Sequence, residues 1–333
     1  MRITTSMMSS KYLRNLNKSA YEMNQLSQKV DTGRKFFKGS EDPVSAIKAY
    51  KLRREYRTTE IYETNIKDVE SFLTSAETNL TEISSNLEFV YTSYLKGING
   101  TMNAETRDVI AKELENLQQS ILTSLNANFE DRYVFGGTSK EEIPFTLDKD
   151  GNLLFKGLNV NDSANKDALD KIADETIYID LGLGMTFDST GLNTDTVFNM
   201  SMSGIKFMGY GTSDGTSDGI PKNLYTLIGE IKNKLRDPNF SLDEITPYID
   251  KFEEQKSQVL VNITDIGAKT NYLDFLKTRN EDNQFNLNKK ILEVEFEDPK
   301  EAIVNFKMQE YSYNAALSMG NKILQNSFID FMR

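Results

Sequence analysis

The sequence predicts a mainly α protein. Its N- and C-terminal segments form an elongated antiparallel coiled-coil or helical-bundle rod, and a β-rich (α+β) domain is inserted between them. Three observations carry this. Apolar residues recur every seven positions in two long segments, 62–94 and 252–273. The stretches 44–98 and 248–298 hold no proline, so uninterrupted helices are permitted there. Between about residues 131 and 237 the period shortens to that of strands bounded by Gly and Asp.

The first predicted helix covers Lys11 to Val30. Leu13, Leu16, Ala20, Met23 and Val30 follow alternating steps of three and four, with Ser27 the one polar member. Asp31-Thr32-Gly33-Arg34 then stops the helix, because glycine takes the left-handed C-terminal conformation without a Cβ penalty. A second helix starts at Asp42-Pro43, where the carboxylate caps free amides and proline suits the first helical position. Its seam is Ile66, Leu73, Leu80, Leu87 and Tyr94, interleaved with Tyr62, Val69, Ala76, Ile83 and Val90. Continuous to Lys96, it would be on the order of 80 Å long, a length that belongs to a rod or bundle. Gly97–Thr101 breaks it, with Asn99-Gly100 as the turn. A third helix, Ala104 to Asn128, presents Ile110, Leu114, Leu117, Ile121 and Leu125 on one face, and the short break makes it antiparallel to its predecessor.

In the middle, Ile143–Leu147 and Leu153–Phe155 flank Asp150-Gly151 as a β-hairpin. Thr176–Ile179 and Val197–Met200 read as further strands, Gly211–Gly219 as an exposed loop, and Leu224–Leu235 as a short helix. Helix returns at Ser241-Leu242-Asp243-Glu244, a capping box. Phe252, Val259, Ile266 and Leu273 recur every seven with Ile249 and Ile263 between them. This seam weakens at Asn280 and Gln284 and resumes at Leu287 and Ile291. The last helix opens with Asp298-Pro299-Lys300-Glu301 and carries Ile303, Phe306, Tyr313, Leu317, Leu324 and Phe331 on one stripe.

The expected division is into terminal helical arms (1–42 and 299–333), a helical rod (43–130 and 238–298) and an inserted β-rich domain (131–237). A lone amphipathic arm is marginal in water and no third segment pairs with that end. The arms are therefore expected to pack between subunits, through Leu13, Leu16, Ala20, Met23, Val30, Phe306, Tyr313, Leu317, Leu324, Phe328 and Phe331.

Composition excludes several activities. The 333 residues include no Cys, His or Trp, so there is no thiol nucleophile, imidazole base or soft metal site. The formal net charge of −11, without a basic stripe, argues against nucleic acid as a partner. No secretory signal core and no spanning-length apolar run occurs, so membrane insertion is not expected. Asp31-Thr32-Gly33 matches an aspartic-protease tripeptide but has no second copy to share a proton. Asp148-Lys149-Asp150-Gly151 opens like a calcium loop yet lacks a Glu at the twelfth position, and the hairpin accounts for it. No catalytic residue, cofactor or metal is expected.

Several motifs resemble one family. Met1-Arg2-Ile3-Thr4-Thr5-Ser6-Met7-Met8, the link Thr32-Gly33-Arg34-Lys35 with Gly39-Ser40-Glu41-Asp42-Pro43-Val44, and Arg132-Tyr133-Val134-Phe135-Gly136-Gly137-Thr138 stand in the N-terminal half. Tyr313-Asn314-Ala315-Ala316-Leu317 and Ser327-Phe328-Ile329-Asp330-Phe331 stand near the end. Together they resemble the hook-associated proteins of the flagellar hook–filament junction, a branch of the flagellin-like axial proteins. The likeness covers residues 1–138 and roughly the last 90, and Phe36-Phe37-Lys38 departs from the usual pattern. It implies a structural subunit, not an enzyme, that forms a ring of identical subunits between another hook-associated protein and flagellin. It also implies a flagellar export chaperone and export through the flagellar type III apparatus without a cleavable signal, to an extracellular place in the flagellum. Flagellin itself is the main alternative. It usually opens Met-Arg-Ile-Asn and shows an Ala-rich acidic run in place of Asp42-Pro43. An unrelated helical toxin or adhesin would call for a membrane-inserting apolar hairpin, which the sequence lacks.

Overall fold

The computed structural model describes residues 5–98, 103–139, 142–188, 191–212, 219–238 and 241–329. The chain divides into two compact units, one of Ile61–Asn280 and one of Met1–Glu60 with Glu281–Arg333. The two longest helices, α2 (Pro43–Gly97) and α7 (Leu242–Glu295), contribute to both.

Within Ile61–Asn280 the heptad seam of α2 is the core. Ile66, Val69, Leu73, Ala76, Leu80, Ile83, Leu87, Val90 and Tyr94 are all buried. Burying each large aliphatic side chain is worth about 1.5–3 kcal/mol, so this seam holds the unit together. Helix α3 (Ala104–Leu125) lies antiparallel to α2, the Asn86 amide donating to Ser120 Oγ at 3.1 Å. α7 runs antiparallel on another side. The Tyr94 hydroxyl donates to Glu253 at 3.2 Å and Lys277 to Glu70 at 3.2 Å. Phe252, Val259, Ile266 and Leu273 are buried as their period predicts. Pro247 lies inside α7, one turn from its start.

The end of α3 differs from the sequence expectation. It stops at Leu125, and Asn128–Phe129 forms strand β1 paired with β2 (Arg132–Tyr133). The Asn126 side chain both donates to and accepts from the Phe145 backbone, at 2.8 and 3.0 Å, which ties the helix end to the next hairpin. That hairpin is β3 (Phe145–Leu147) with β4 (Leu153–Phe155), turning through Gly151 as expected, and β5 (Leu158–Asn159) adds a third strand. The two later strands are β6 (Tyr178–Ile179) and β9 (Phe198–Asn199), and they pair with each other. Between them lies the short ribbon β7 (Phe187–Asp188) with β8 (Gly191–Leu192).

Two helices here escaped the sequence reading. α4 (Lys166–Ala173) and α5 (Gly204–Met208) are too short to display a period. Helix α6 (Leu224–Arg236), capped by Asn223, packs antiparallel along α3. Gln118 donates to the Tyr225 carbonyl at 2.8 Å, and Arg236 meets Asp108 and Glu115. The Asn99-Gly100 turn, and residues 213–218 of the predicted Gly211–Gly219 loop, lie outside the described residues.

The other unit contains α1 (Thr5–Thr32), α8 (Pro299–Ile329), the start of α2 and the end of α7. Helix α1 begins six residues earlier than the apolar period predicts, because Thr5–Ser10 carries no breaker. Gly33 stops it in the left-handed conformation (φ 70°), its amide donating to the Lys29 carbonyl at 2.7 Å. The link then zips onto the end of α7: Lys35 N donates to the Glu295 carbonyl at 2.8 Å and Glu297 N to that of Gly33 at 2.9 Å. Asp42 caps α2 as predicted, accepting from Ser45 N at 3.1 Å, and Asp298 caps α8, accepting from Lys300 N at 2.9 Å.

Arg53 grips Glu295 with two bonds of 2.5 Å. Those hydrogen bonds, against opposing desolvation, hold the Glu295 carboxyl below its ordinary pKa. A depressed folded pKa means stabilisation that is present above the unfolded value and lost as pH falls through the folded one. Glu295→Gln is therefore expected to cost about 1 kcal/mol at neutral pH, Arg53 being half exposed to solvent. The difference from the wild type should close in denaturant titrations as pH falls below ~4.3.

Candidate functional site

The terminal helices pair antiparallel. The Tyr12 hydroxyl donates to the Ala316 carbonyl at 3.0 Å, Gln309 donates to Ser19 Oγ at 3.1 Å, and Lys29 lies 3.8 Å from Glu297. Each step up α1 is a step down α8. The α8 residues turned to this contact are Ala302, Phe306, Gln309, Tyr313, Ala316 and Gly320, at steps of four and three. On α1 the matching series is Ser9, Tyr12, Leu16, Ser19, Met23, Leu26 and Val30.

The contact within this chain is thus one position out of phase, in places, with the apolar stripes expected to pack between subunits. Leu13 is 51% exposed and Tyr12 takes the inward place; Ile303 and Leu317 are 48% and 41% exposed, and Ala302 and Ala316 take theirs. Apolarity alone picked the larger residues, whereas the contact uses small and polar ones that let the backbones approach. Leu16, Ala20, Met23, Val30, Phe306 and Tyr313 are half-buried by the pairing. The side chains of Leu324 and Phe328, and all of Phe331, lie outside the described residues.

Gly320 shows how close the approach is. A Cβ there would stand 2.0 Å from the Tyr12 hydroxyl. Gly320→Ala gains about 1 kcal/mol of helix propensity and displaces Tyr12 from a hydrogen bond of similar worth. The melting temperature is expected to move by less than about 2 °C. Amide exchange near Tyr12 should nonetheless quicken several-fold, as hydrogen-exchange mass spectrometry would report.

A second apolar stripe runs along α8 outside this contact. Val304, Met308, Tyr311, Ala315 and Met319 recur at helical spacing and are all exposed, Tyr311 at 78%. On the first turns of α2, Val44, Ile47 and Tyr50 form a comparable exposed face beside Lys51 and Arg54. These residues were missed in the sequence because one seam per helix was sought. The available signal was that α8 is apolar on two sides. Contiguous exposed apolar stripes mark surfaces that a partner covers. Among the described residues no group of three or more His, Cys, Asp or Glu is placed to hold a metal. No described helix is long and apolar enough to cross a membrane.

Paired terminal helices, a helical core and a small inserted sheet region make this a mainly helical protein. Residues 3–140 match the bacterial flagellin N-terminal helical region. More particularly, the chain is similar to flagellar hook-associated protein 3. It is 23% identical to that protein of Escherichia coli K12 over 150 residues, 45% of this chain and 47% of the relative. The chain thus spans about half the length of the curated relatives it matches. Among solved structures, a Vibrio parahaemolyticus protein assigned as a flagellar hook-associated protein shares the fold with a TM-score of 0.60. That match has 22% identity and covers 76% of this chain and 99% of that one. FlgL of Xanthomonas campestris shares it with a TM-score of 0.53 at 14% identity, covering 72% and 99%.

Proposed function

We propose that this chain is a structural subunit of the bacterial flagellum, the adapter that connects the hook, through another hook-associated protein, to the flagellin filament. The observation that carries this reading is the similarity to flagellar hook-associated protein 3 in sequence over 150 residues, together with the fold shared with a flagellar hook-associated protein over three quarters of the chain. The exposed stripes of α8 and α2 support it, since they supply apolar surface for neighbouring subunits. In this reading residues 1–42 and 299–333 are assembly arms, identical copies form a ring, and the work is done by packing, without catalysis. The chain reaches its extracellular place unfolded through the flagellar type III apparatus, escorted beforehand by an export chaperone.

A strain lacking the chain is expected to build hooks, export flagellin and shed it as monomer into the medium, with motility restored by the gene in trans. Hooks bearing normal filaments in that strain would overturn the proposal. A strain that sheds no flagellin because it makes none would point to the filament subunit instead, a reading that the match to the flagellin N-terminal region keeps open.

A further inference from the structure

Within Ile61–Asn280 a cleft of about 410 Å³ is lined by Asp68, Val69, Phe72, Phe129, Arg132, Ile179 and Met200, with Ser71 and Glu130 at its edge. Three separate parts of the chain build it: helix α2, the β1–β2 hairpin and the β6–β9 ribbon. Its floor is apolar and ordered by ring packing, with Phe129 edge-on to Phe72 at 6.2 Å.

Arg132 stands over the Phe72 ring, its Cζ 4.9 Å from the centroid. Among the described residues the other polar contact of its side chain is Nη1 to the Met200 sulfur at 4.0 Å, and Nε is buried with no hydrogen-bond partner. Among the described residues no carboxylate lies within ion-pair distance of it, although Asp68 and Glu130 share the cleft. Burial alone pushes its pKa down, with no anion opposing. In a chain of net charge −11, a part-buried guanidinium with its Nε enclosed and no anion beside it is an unusual arrangement. Such a group costs stability until an anion arrives.

We propose that this cleft is a docking site for a carboxylate flanked by apolar side chains on a protein partner, with Arg132 as the anion anchor. Charge complementarity supplies the attraction, and a planar guanidinium matches a carboxylate with two parallel bonds. Phe72, Phe129, Ile179 and Met200 receive the apolar portion. Asp68 and Glu130 are exposed at the rim and repel a multiply charged anion more than a singly charged one, which selects carboxylate over phosphate. The proposal stands on this local geometry and not on the assembly reading above.

Phenylacetate serves as the probe, read on the full chain labelled at methionine methyls. The Met200 methyl resonance is expected to shift saturably with phenylacetate at millimolar concentration. It should not respond to phenylacetamide or to chloride of equal ionic strength. Arg132→Met should abolish the response, and Arg132→Lys, which keeps charge without the fork, should weaken it at least several-fold. A melting temperature at or above the wild type's for Arg132→Met, which removes the unpaired charge, and close to it for Arg132→Lys keeps the comparison on the site. An equal response to phenylacetamide, a stronger one to phosphate, or a response that survives in Arg132→Met overturns the proposal. So does the absence of any saturable shift.

Discussion

Leu80→Asp is expected to unfold the unit that contains it. Leu80 is 0% exposed, midway along the α2 seam, with Leu73, Ala76, Ile83 and Leu87 equally enclosed about it. Removing the isobutyl group alone costs about 2–5 kcal/mol in such a site. The carboxylate adds the penalty of an unpaired charge, relieved only by protonation or by local opening. A total of about 4 kcal/mol or more lowers the melting temperature of a unit of this size by roughly 8–16 °C. Calorimetry of the purified variant would show it, and a transition within 2 °C of the wild type would mean that the seam is not the core. On the proposed function such a variant should also be missing from flagella, because a chain that cannot refold cannot assemble.

That result was legible in the sequence because a strict seven-residue repeat leaves few alternatives. Only a helix brings Ile66, Leu73, Leu80 and Leu87 onto one face, and only a bundle buries a stripe that long. The Asp42 and Asp298 caps were legible for the same kind of reason, since each stands before a proline that suits only the first turn. Gly151 and its flanking strands announced their hairpin. What escaped was decided by contacts distant in sequence. α4 and α5 are stabilised by the core they touch, not by their own two turns. The end of α3 is set by the bond pair between Asn126 and Phe145, nineteen positions apart, which no local period carries.

The terminal helices were half legible. Their existence followed from periodicity, but the full length of α1 and the phase of the contact did not. Tyr12 turns inward because its hydroxyl finds the Ala316 carbonyl, and Ser19 because it meets Gln309. A search for the largest apolar residues passes over both. It also passes over Gly320 and Ala302, whose smallness is what brings the helices together. Leu13, Ile303 and Leu317 join the outward surface, and that surface is larger than one seam per helix would leave.

Tyr311→Asp separates that outward surface from folding. The side chain is 78% exposed and lies between Val304 and Met308 on one side and Ala315 and Met319 on the other. Tyr and Asp have similar, modest helix propensities, so the local cost is small. An exposed substitution of this kind falls within about 0.5 kcal/mol, a shift in melting temperature of less than about 2 °C. If a neighbouring subunit of the proposed assembly covers this stripe, the same carboxylate is buried unpaired at every such contact. The penalty then recurs once per subunit, several kcal/mol each time. Assembly should fail outright, with secreted chain at normal level, motility lost and flagellin released into the medium. Tyr311→Leu restores an apolar contact and should recover most motility. Normal swimming of the Tyr311→Asp strain would show that this stripe faces solvent in the assembled flagellum. A melt lowered as far as that of Leu80→Asp would instead place Tyr311 in the fold of the monomer.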